Sequence, residues 1–237
     1  MVFAAIMAGG TGSRMGNSET PKQYMKLAGK PIIIHTLEKF FVNPAFDHIV
    51  VLTPKTWVAH TDNLIKEAVG ETDRVTVIEG GATRNDTLRN AVAFFEEKFG
   101  LSDDAVLVTH DAVRPFLTRR IINENIEAAQ KYGACDTVVP ATDTIVESRD
   151  GSVILQIPDR STLYQGQTPQ SFNCKKLKEL MDSLTEEEEK VLTDGCKIFT
   201  LKGEPVYLVR GEQSNIKITY PFDLKVAATM IEGAIEE

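Results

Sequence analysis

Up to Pro140 this chain alternates short apolar runs with amphipathic helical patterns, and that alternation admits few folds. After a first strand opening at Val2, the periodicity predicts helices over 31–41, 56–69, 83–99 and 118–132. It predicts further strands over 47–52, 75–78, 105–109 and 135–140. Strands joined through helices run parallel, and the apolar run within 47–52 is unbroken, as in a strand buried on both faces. The pattern predicts an α/β, Rossmann-like fold: a mostly parallel sheet with helices on both faces. In such sheets ligands bind outside the carboxyl ends of the strands.

Three polar loops fall at those ends. Gly9-Gly10-Thr11-Gly12 follows the first strand, Gly80-Gly81-Ala82-Thr83-Arg84-Asn85-Asp86-Thr87 the third, and His110-Asp111-Ala112-Val113-Arg114-Pro115 the fourth. Glycine lets backbone N–H groups approach phosphate oxygens with no Cβ in the way, and Arg14 and Lys22 just downstream supply cations for a polyphosphate. Taken alone, a glycine turn after a first strand is also common in α/β folds for structural reasons. Two better-known phosphate loops do not fit: the dinucleotide fingerprint needs Gly where Met15 stands, and no G-K-[ST] follows the glycines. What remains is A-G-G-x-G-x-R-M-G with Pro21-Lys22-Gln23 behind it, which resembles the signature of sugar-nucleotide and related nucleotidyltransferases.

At 237 residues, 42% hydrophobic and 25% charged, the chain is sized for one large domain over 1–237. A net charge of -8 argues against nucleic acid, which requires a basic stripe, so the cations that meet a polyanion must be concentrated locally. No apolar stretch approaches the roughly 18 residues of a membrane span. The N-terminus has neither a basic n-region nor a cleavage site, so a cytoplasmic protein with no membrane partner is expected. Cys135, Cys174 and Cys196 are odd in number and widely spaced, which predicts reduced structural thiols.

Near 143–165 the alternation breaks. Residues 144–148 and 152–157 read as two strands about an Asp150-Gly151 turn, a projecting β-hairpin arm with no helix to pack it. The arm either packs on a second subunit, giving a homodimer, or closes the sheet edge within one chain. Beyond it, 175–183 and the stretch from Glu186 read as helical, the second capped by Thr185. A strand over 205–209 and a closing helix over 222–236 follow.

Eight motifs in order along the whole chain resemble the cytidylyltransferases that couple CTP to a polyol phosphate, a family covering methylerythritol-phosphate and ribitol-5-phosphate enzymes. They are Ala8-Gly9-Gly10-x-Gly12-x-Arg14-Met15, Pro21-Lys22-Gln23-Tyr24, Gly80-Gly81-x-x-Arg84, His110-Asp111-Ala112-x-Arg114-Pro115, Asp143-Thr144-Ile145, Gln167-Thr168-Pro169-Gln170, Thr193-Asp194 and Asn215-Ile216-Lys217-Ile218-Thr219. Within the family the chain resembles the ribitol-phosphate branch. Methylerythritol enzymes typically carry Lys or Arg before D-T and shortly after it, where this chain reads Thr142-Asp143-Thr144-Ile145-Val146-Glu147-Ser148. They usually read A-Q-T-P-Q and H-D-A-A-R-P, where Gly166 and Val113 stand here, and several have an acid at the position of Ser214.

The resemblance implies attack by a phosphate oxygen of D-ribitol 5-phosphate on the α-phosphorus of CTP, giving CDP-ribitol and pyrophosphate for wall teichoic acid synthesis. The alternative is the sibling reaction on 2-C-methyl-D-erythritol 4-phosphate, in isoprenoid synthesis. It implies Mg²⁺ as cofactor, held in part by Asp111, although as a bare residue Asp111 could equally cap the turn before Arg114. It assigns Arg14 and Lys22 to the transition state at the α-phosphate. Met7, Ala8, Gly9, Gly10, Gly12, Gly80, Gly81, Ala82, Arg84, Asn85, Thr87 and Asp111 go to the nucleotide, with Arg84 open to a structural role instead. Arg160, Lys217 and Thr144 go to the second substrate, Arg160 reaching a neighbouring subunit's site in a dimer. His110 and Trp57 are expected to pack. A non-catalytic nucleotide-binding protein on the same fold would have no use for Arg14 and Lys22 together.

Overall fold

The computed structural model describes residues 1–10 and 20–233. In chain order the elements are β1 (Val2–Met7), a small hairpin of β2 (Lys26–Leu27) and β3 (Lys30–Pro31), α1 (Ile32–Phe41), β4 (His48–Thr53), α2 (Val58–Val69), β5 (Val75–Glu79) and α3 (Arg84–Phe99). There follow β6 (Val106–Asp111), α4 (Arg119–Tyr132), β7 (Ala134–Pro140), β8 (Tyr164–Asn173), α5 (Cys174–Asp182), α6 (Glu186–Lys190), α7 (Gly195–Leu201), β9 (Tyr207–Arg210) and α8 (Pro221–Gly233). Seven strands form one sheet in the order β5-β4-β1-β6-β8-β7-β9, parallel throughout except that β8 runs antiparallel to both neighbours.

Successive side chains of a strand face opposite sides, and each face of this sheet has its own core. Ala4 and Ile6 of β1 and Ile49 and Val51 of β4 pack with Leu37 of α1, Ile65 of α2 and Ile121 of α4. Phe3, Ala5, Val50 and Leu52 pack on the other face with Phe95 of α3, Leu177 of α5 and Ile198 of α7. This is the predicted doubly covered sheet, and the predicted elements up to Pro140 lie within two residues of the observed ones. No helix among the described residues is long and apolar enough to cross a membrane. All three cysteines are free and buried.

Three features differ from the sequence reading. β8 was not predicted, because Gly166 and Pro169 interrupt it and both residues disfavour strand interiors. The sheet accommodates them with a bulge: Asp136 pairs with Gln170 and Val138 with Gly166, so residues 167–169 face Thr137 alone. The Thr137 hydroxyl then donates to the Pro169 carbonyl (2.7 Å). α7 is seven residues long, too short to show a period. The arm turns at Asp150-Gly151 as expected, with Asp150 accepting from the Ser152 and Val153 N–H groups, but its two strands reduce to one bridge between Glu147 and Gln156. A two-stranded ladder exposed on both faces has little to stabilise it alone.

Burial leaves a pH signature. Desolvation pushes His48 and His110 down to about 4, below the value near 6.5 of an unfolded histidine, and pushes Asp136 up to about 7. Between those limits the unfolded chain takes up more protons at the two histidines than the native state does, while Asp136 acts in the opposite sense. Two sites outweigh one, so stability falls as pH is lowered from about 6.5 towards 4. Urea unfolding is expected to give a lower free energy at pH 5 than at pH 7, and His48→Gln to flatten that difference; an unchanged slope in the variant would remove His48 from the account.

Candidate active site

Met7 at the end of β1 is in register with Asp111 at the end of β6, so the first glycine loop and the buried acid open on one rim. A cavity of about 250 Å³ lies there, lined by Met7, Ala8, Gly9, Gly10, Lys22, Gly81, Ala82, Arg84, Thr87, Asp111 and Lys217. These are eleven of the residues assigned above from sequence. Gly12 and Arg14 lie outside the described residues. Gly80 sits just behind the wall, where an added Cβ would meet the Thr87 hydroxyl at 3.3 Å.

Each wall has a local cause. Lys22 begins a short 3-10 turn over Lys22–Tyr24 and is itself buried. Gln23 pins that turn by donating to the Ala8 carbonyl (2.6 Å), and Tyr24 stacks on Trp57 while its hydroxyl meets Thr53 and Thr61. Opposite, Thr83 caps α3 in a reciprocal box with Asp86, which fixes the start of the helix, and with it the positive end of its dipole, at the cavity wall formed by Thr83, Arg84 and Thr87. The Gly81 N–H donates to Thr87 Oγ1 (3.0 Å), and a Cβ on Gly81 would stand 2.1 Å from Asp86 Cβ. Among the described residues nothing lies within 4 Å of a Cβ added at Gly10, so on that side its backbone is open to a ligand.

Asp111 is the electrostatic centre. Arg84 Nη1 lies 2.6 Å from its Oδ1, Lys217 Nζ 2.8 Å from its Oδ2 and Arg114 Nε 3.7 Å from Oδ2. Burial alone would raise this carboxyl, but Arg84 and Lys217 hold it well below the usual carboxylate range. One carboxylate among three cations leaves a surplus of positive charge at the rim of an acidic protein. The turn before Arg114 is closed by the backbone, the Asp111 main-chain carbonyl accepting from the Arg114 N–H (3.1 Å), while the carboxylate is engaged by the cations. His110 packs, as expected, and stays neutral: its Nε2 donates to the Arg114 carbonyl, and its Nδ1 accepts from Thr168, whose oxygen takes the Asp111 N–H.

A second cavity of about 230 Å³ adjoins the first and shares Arg84, Asp111 and Lys217 with it. Its remaining lining is Arg114, Asp136, Gly166, Gln167, Thr168, Gln170, Thr193 and Asp194. Its lining combines three cations, Arg84, Arg114 and Lys217, with the acids Asp111, Asp136 and Asp194 and the hydroxyls of Thr168 and Thr193. Lys217 reaches both cavities because Asn215, fully buried, ties its loop to the Thr168 carbonyl (2.9 Å) and to Gln167, while its own carbonyl accepts from Arg114 (2.8 Å).

Three assigned residues lie elsewhere. Asn85 lines a separate hollow with Arg89 and Met181, because a step of one residue along α3 turns about 100° away from Arg84. Thr144 and Arg160 are exposed on the arm and line neither cavity; Arg160 donates to the Thr142 carbonyl (2.8 Å). Conversely, Gln23, Arg114, Thr168 and Asn215 were visible as motif members without a role. Asp136 gave no sequence signal at all, because a polar residue inside a strand carries no motif. Among the described residues no group of three or more His, Cys, Asp or Glu could hold a metal, and Asp111 is the one acid lining the first cavity. That donor set fits a cation held mainly by phosphate oxygens and water with one carboxylate, the usual arrangement for nucleotide-bound Mg²⁺.

A glycine-floored cavity at the carboxyl ends of parallel strands, with a helix N-terminus and several cations around it, defines a nucleotidyltransferase. The model of the IspD family, 2-C-methyl-D-erythritol 4-phosphate cytidylyltransferase, matches residues 2–233, and the chain belongs to that family of cytidylyltransferases. Among solved structures it is similar to the Francisella tularensis 2-C-methyl-D-erythritol 4-phosphate cytidylyltransferase, at 28% identity over 95% of this chain and 97% of that one, with a TM-score of 0.79. The Anaerococcus prevotii 4-diphosphocytidyl-2C-methyl-D-erythritol synthase (24%, 98% and 96%, TM-score 0.79) and the Thermus thermophilus cytidylyltransferase (24%, 98% and 98%, TM-score 0.70) share the fold.

The two glycines separate structure from binding. Gly81→Ala is expected to cost about 1–3 kcal/mol of stability through the clash with Asp86. Gly10→Ala is expected to leave denaturant stability unchanged while weakening CTP binding measured by calorimetry. Equal effects of both changes on both readouts would contradict the assignment.

Proposed function

We propose that this cytidylyltransferase transfers CMP from CTP to D-ribitol 5-phosphate, releasing pyrophosphate. The observation that carries the reading is the pair of adjoining cavities sharing Arg84, Asp111 and Lys217. The first suits a nucleoside triphosphate, and the second suits a hydroxylated acceptor whose phosphate meets the shared cations. Among the described residues no apolar side chain lines the second cavity, so a substrate rich in hydroxyls is accommodated and a methyl group gains nothing from them. The uncharged Thr142 and Val146 flanking the D-T motif point the same way. The second reading is 2-C-methyl-D-erythritol 4-phosphate as acceptor, favoured by the description of the family model and by the titles of the solved relatives.

A phosphate monoester is already an ionised nucleophile near neutral pH, so no general base is required. The difficulty is charge: two like charges about 4 Å apart cost on the order of 4 kcal/mol at an effective dielectric near 20, and the two substrates bring several. The chain's cations offset this. Lys217 and Arg84 sit between the two cavities and hold the incoming phosphate against the triphosphate. Lys22, fixed by the Gln23 and Tyr24 anchors, neutralises charge at the α-phosphate as it is attacked, with Arg14 in the same role. Mg²⁺, when bound, offsets charge on the triphosphate, and Asp111 is the residue that would hold it. A carboxylate oxygen has a second lone pair, so it keeps its cations while doing so.

Thr144 and Arg160 enter this reading through a homodimer. The arm exposes Val146, Val153, Ile154, Leu155 and Ile157, an apolar strip that a second copy would cover while bringing Arg160 to the neighbouring cavity.

Pyrophosphate release with CTP, Mg²⁺ and either acceptor tests the substrate directly. Turnover with ribitol 5-phosphate alone is expected, and turnover with methylerythritol 4-phosphate alone would establish the second reading. Lys22→Ala is expected to lower kcat by about 10²- to 10³-fold. Mixing inactive Lys22→Ala and Arg160→Ala proteins is expected to restore activity, since a mixed dimer retains one complete site; no recovery would place Arg160 in its own subunit's chemistry or in none.

A further inference from the structure

The second cavity contains an acid that no step above uses. Asp136 lies on β7 at the bulge opposite β8, and its Oδ1 is buried with no hydrogen-bond partner among the described residues. Its Oδ2 faces Gly166, where an added Cβ would sit 3.5 Å away. An alanine there would place its methyl group beside the carboxyl, and the glycine leaves that space open. Asp136 and Asp194 line the second cavity but not the first, so they belong to the part of the site that the nucleotide cavity does not share.

We propose that Asp136, kept accessible by Gly166, hydrogen-bonds a hydroxyl of the acceptor and so selects for the more hydroxylated polyol phosphate. This rests on the reading that the acceptor occupies the second cavity. Arg84, Arg114 and Lys217 attract the phosphate, whereas an acid beside it would repel it, so Asp136 suits a neutral hydroxyl of the acceptor and not its phosphate. Burial pushes the Asp136 carboxyl up to about 7; Gln170 and Arg114 oppose the rise and Asp194 adds to it. Both protonation states are therefore populated near neutrality, and a hydroxyl satisfies either one because it both donates and accepts. The bulge at residues 167–169 lets β8 carry Gly166 past the acid while Thr168 still holds His110 and Asp111.

The test is steady-state kinetics of wild type, Asp136→Ala and Gly166→Ala with saturating CTP and varied ribitol 5-phosphate, alongside monodeoxy analogues of that acceptor. Asp136→Ala is expected to raise the acceptor KM about tenfold or more, the scale of one hydrogen bond to a charged group, while the CTP KM stays unchanged. One deoxy analogue should lose affinity with wild type but not with the variant. Gly166→Ala, which retains the acid, should raise the acceptor KM in the same direction. An unchanged acceptor KM in Asp136→Ala, or equal rises for acceptor and CTP, would overturn the proposal while leaving the substrate assignment standing. If wild type accepts only methylerythritol 4-phosphate, the ribitol reading falls instead, and the same KM comparison on that acceptor decides the role of Asp136.

Discussion

The rest of the site is arranged around the carboxylate of Asp111. Burying an ion costs several kcal/mol, and here the cost is met by cations drawn from three separate segments: Arg84 from the start of α3, Arg114 from the loop after β6 and Lys217 from the segment before α8. Because each cation is tied to the acid, each is already in place when the substrates arrive. The acid thus concentrates positive charge at one rim of a protein whose overall charge is -8, and reorganisation at the moment of reaction is small.

The surrounding fold serves to keep that cluster rigid. Register between β1 and β6 sets the glycine loop beside the acid, and the hydrogen-bond chain through Thr168, His110 and the Arg114 carbonyl fixes the backbone that carries it. Thr168 can do this only because β8 runs antiparallel between β6 and β7 and bulges where Pro169 cannot donate. The same strand delivers Gly166 to the wall of the second cavity. A departure from regular pairing is therefore what joins the part of the sheet under the first cavity to the part under the second.

Particular elements show what could be read without coordinates. The strand-helix alternation to Pro140 was legible because long amphipathic helices and unbroken apolar strands impose their own periods. The Gly80–Thr87 loop was legible for a similar reason: its glycines and capping residues act within a few positions of one another. β8 was not, since Gly166 and Pro169 erase the strand pattern and only pairing on both sides restores it. The arm kept its Asp150-Gly151 turn, a local device, but not its ladder, which lacks a surface to pack on within the chain.

Sequence alone determined the fold class, the glycine loops, the family resemblance and most of the residues around the first cavity, because those depend on local backbone chemistry and on short motifs. Tertiary structure decided which motif members touch. It turned Asn85 away from Arg84, placed Thr144 and Arg160 outside both cavities, and gathered Arg84, Arg114 and Lys217 on one acid. It also exposed Asp136 to a cavity. Contacts between residues far apart in the chain depend on strand order and register, and neither leaves a trace in the spacing of residues along the sequence.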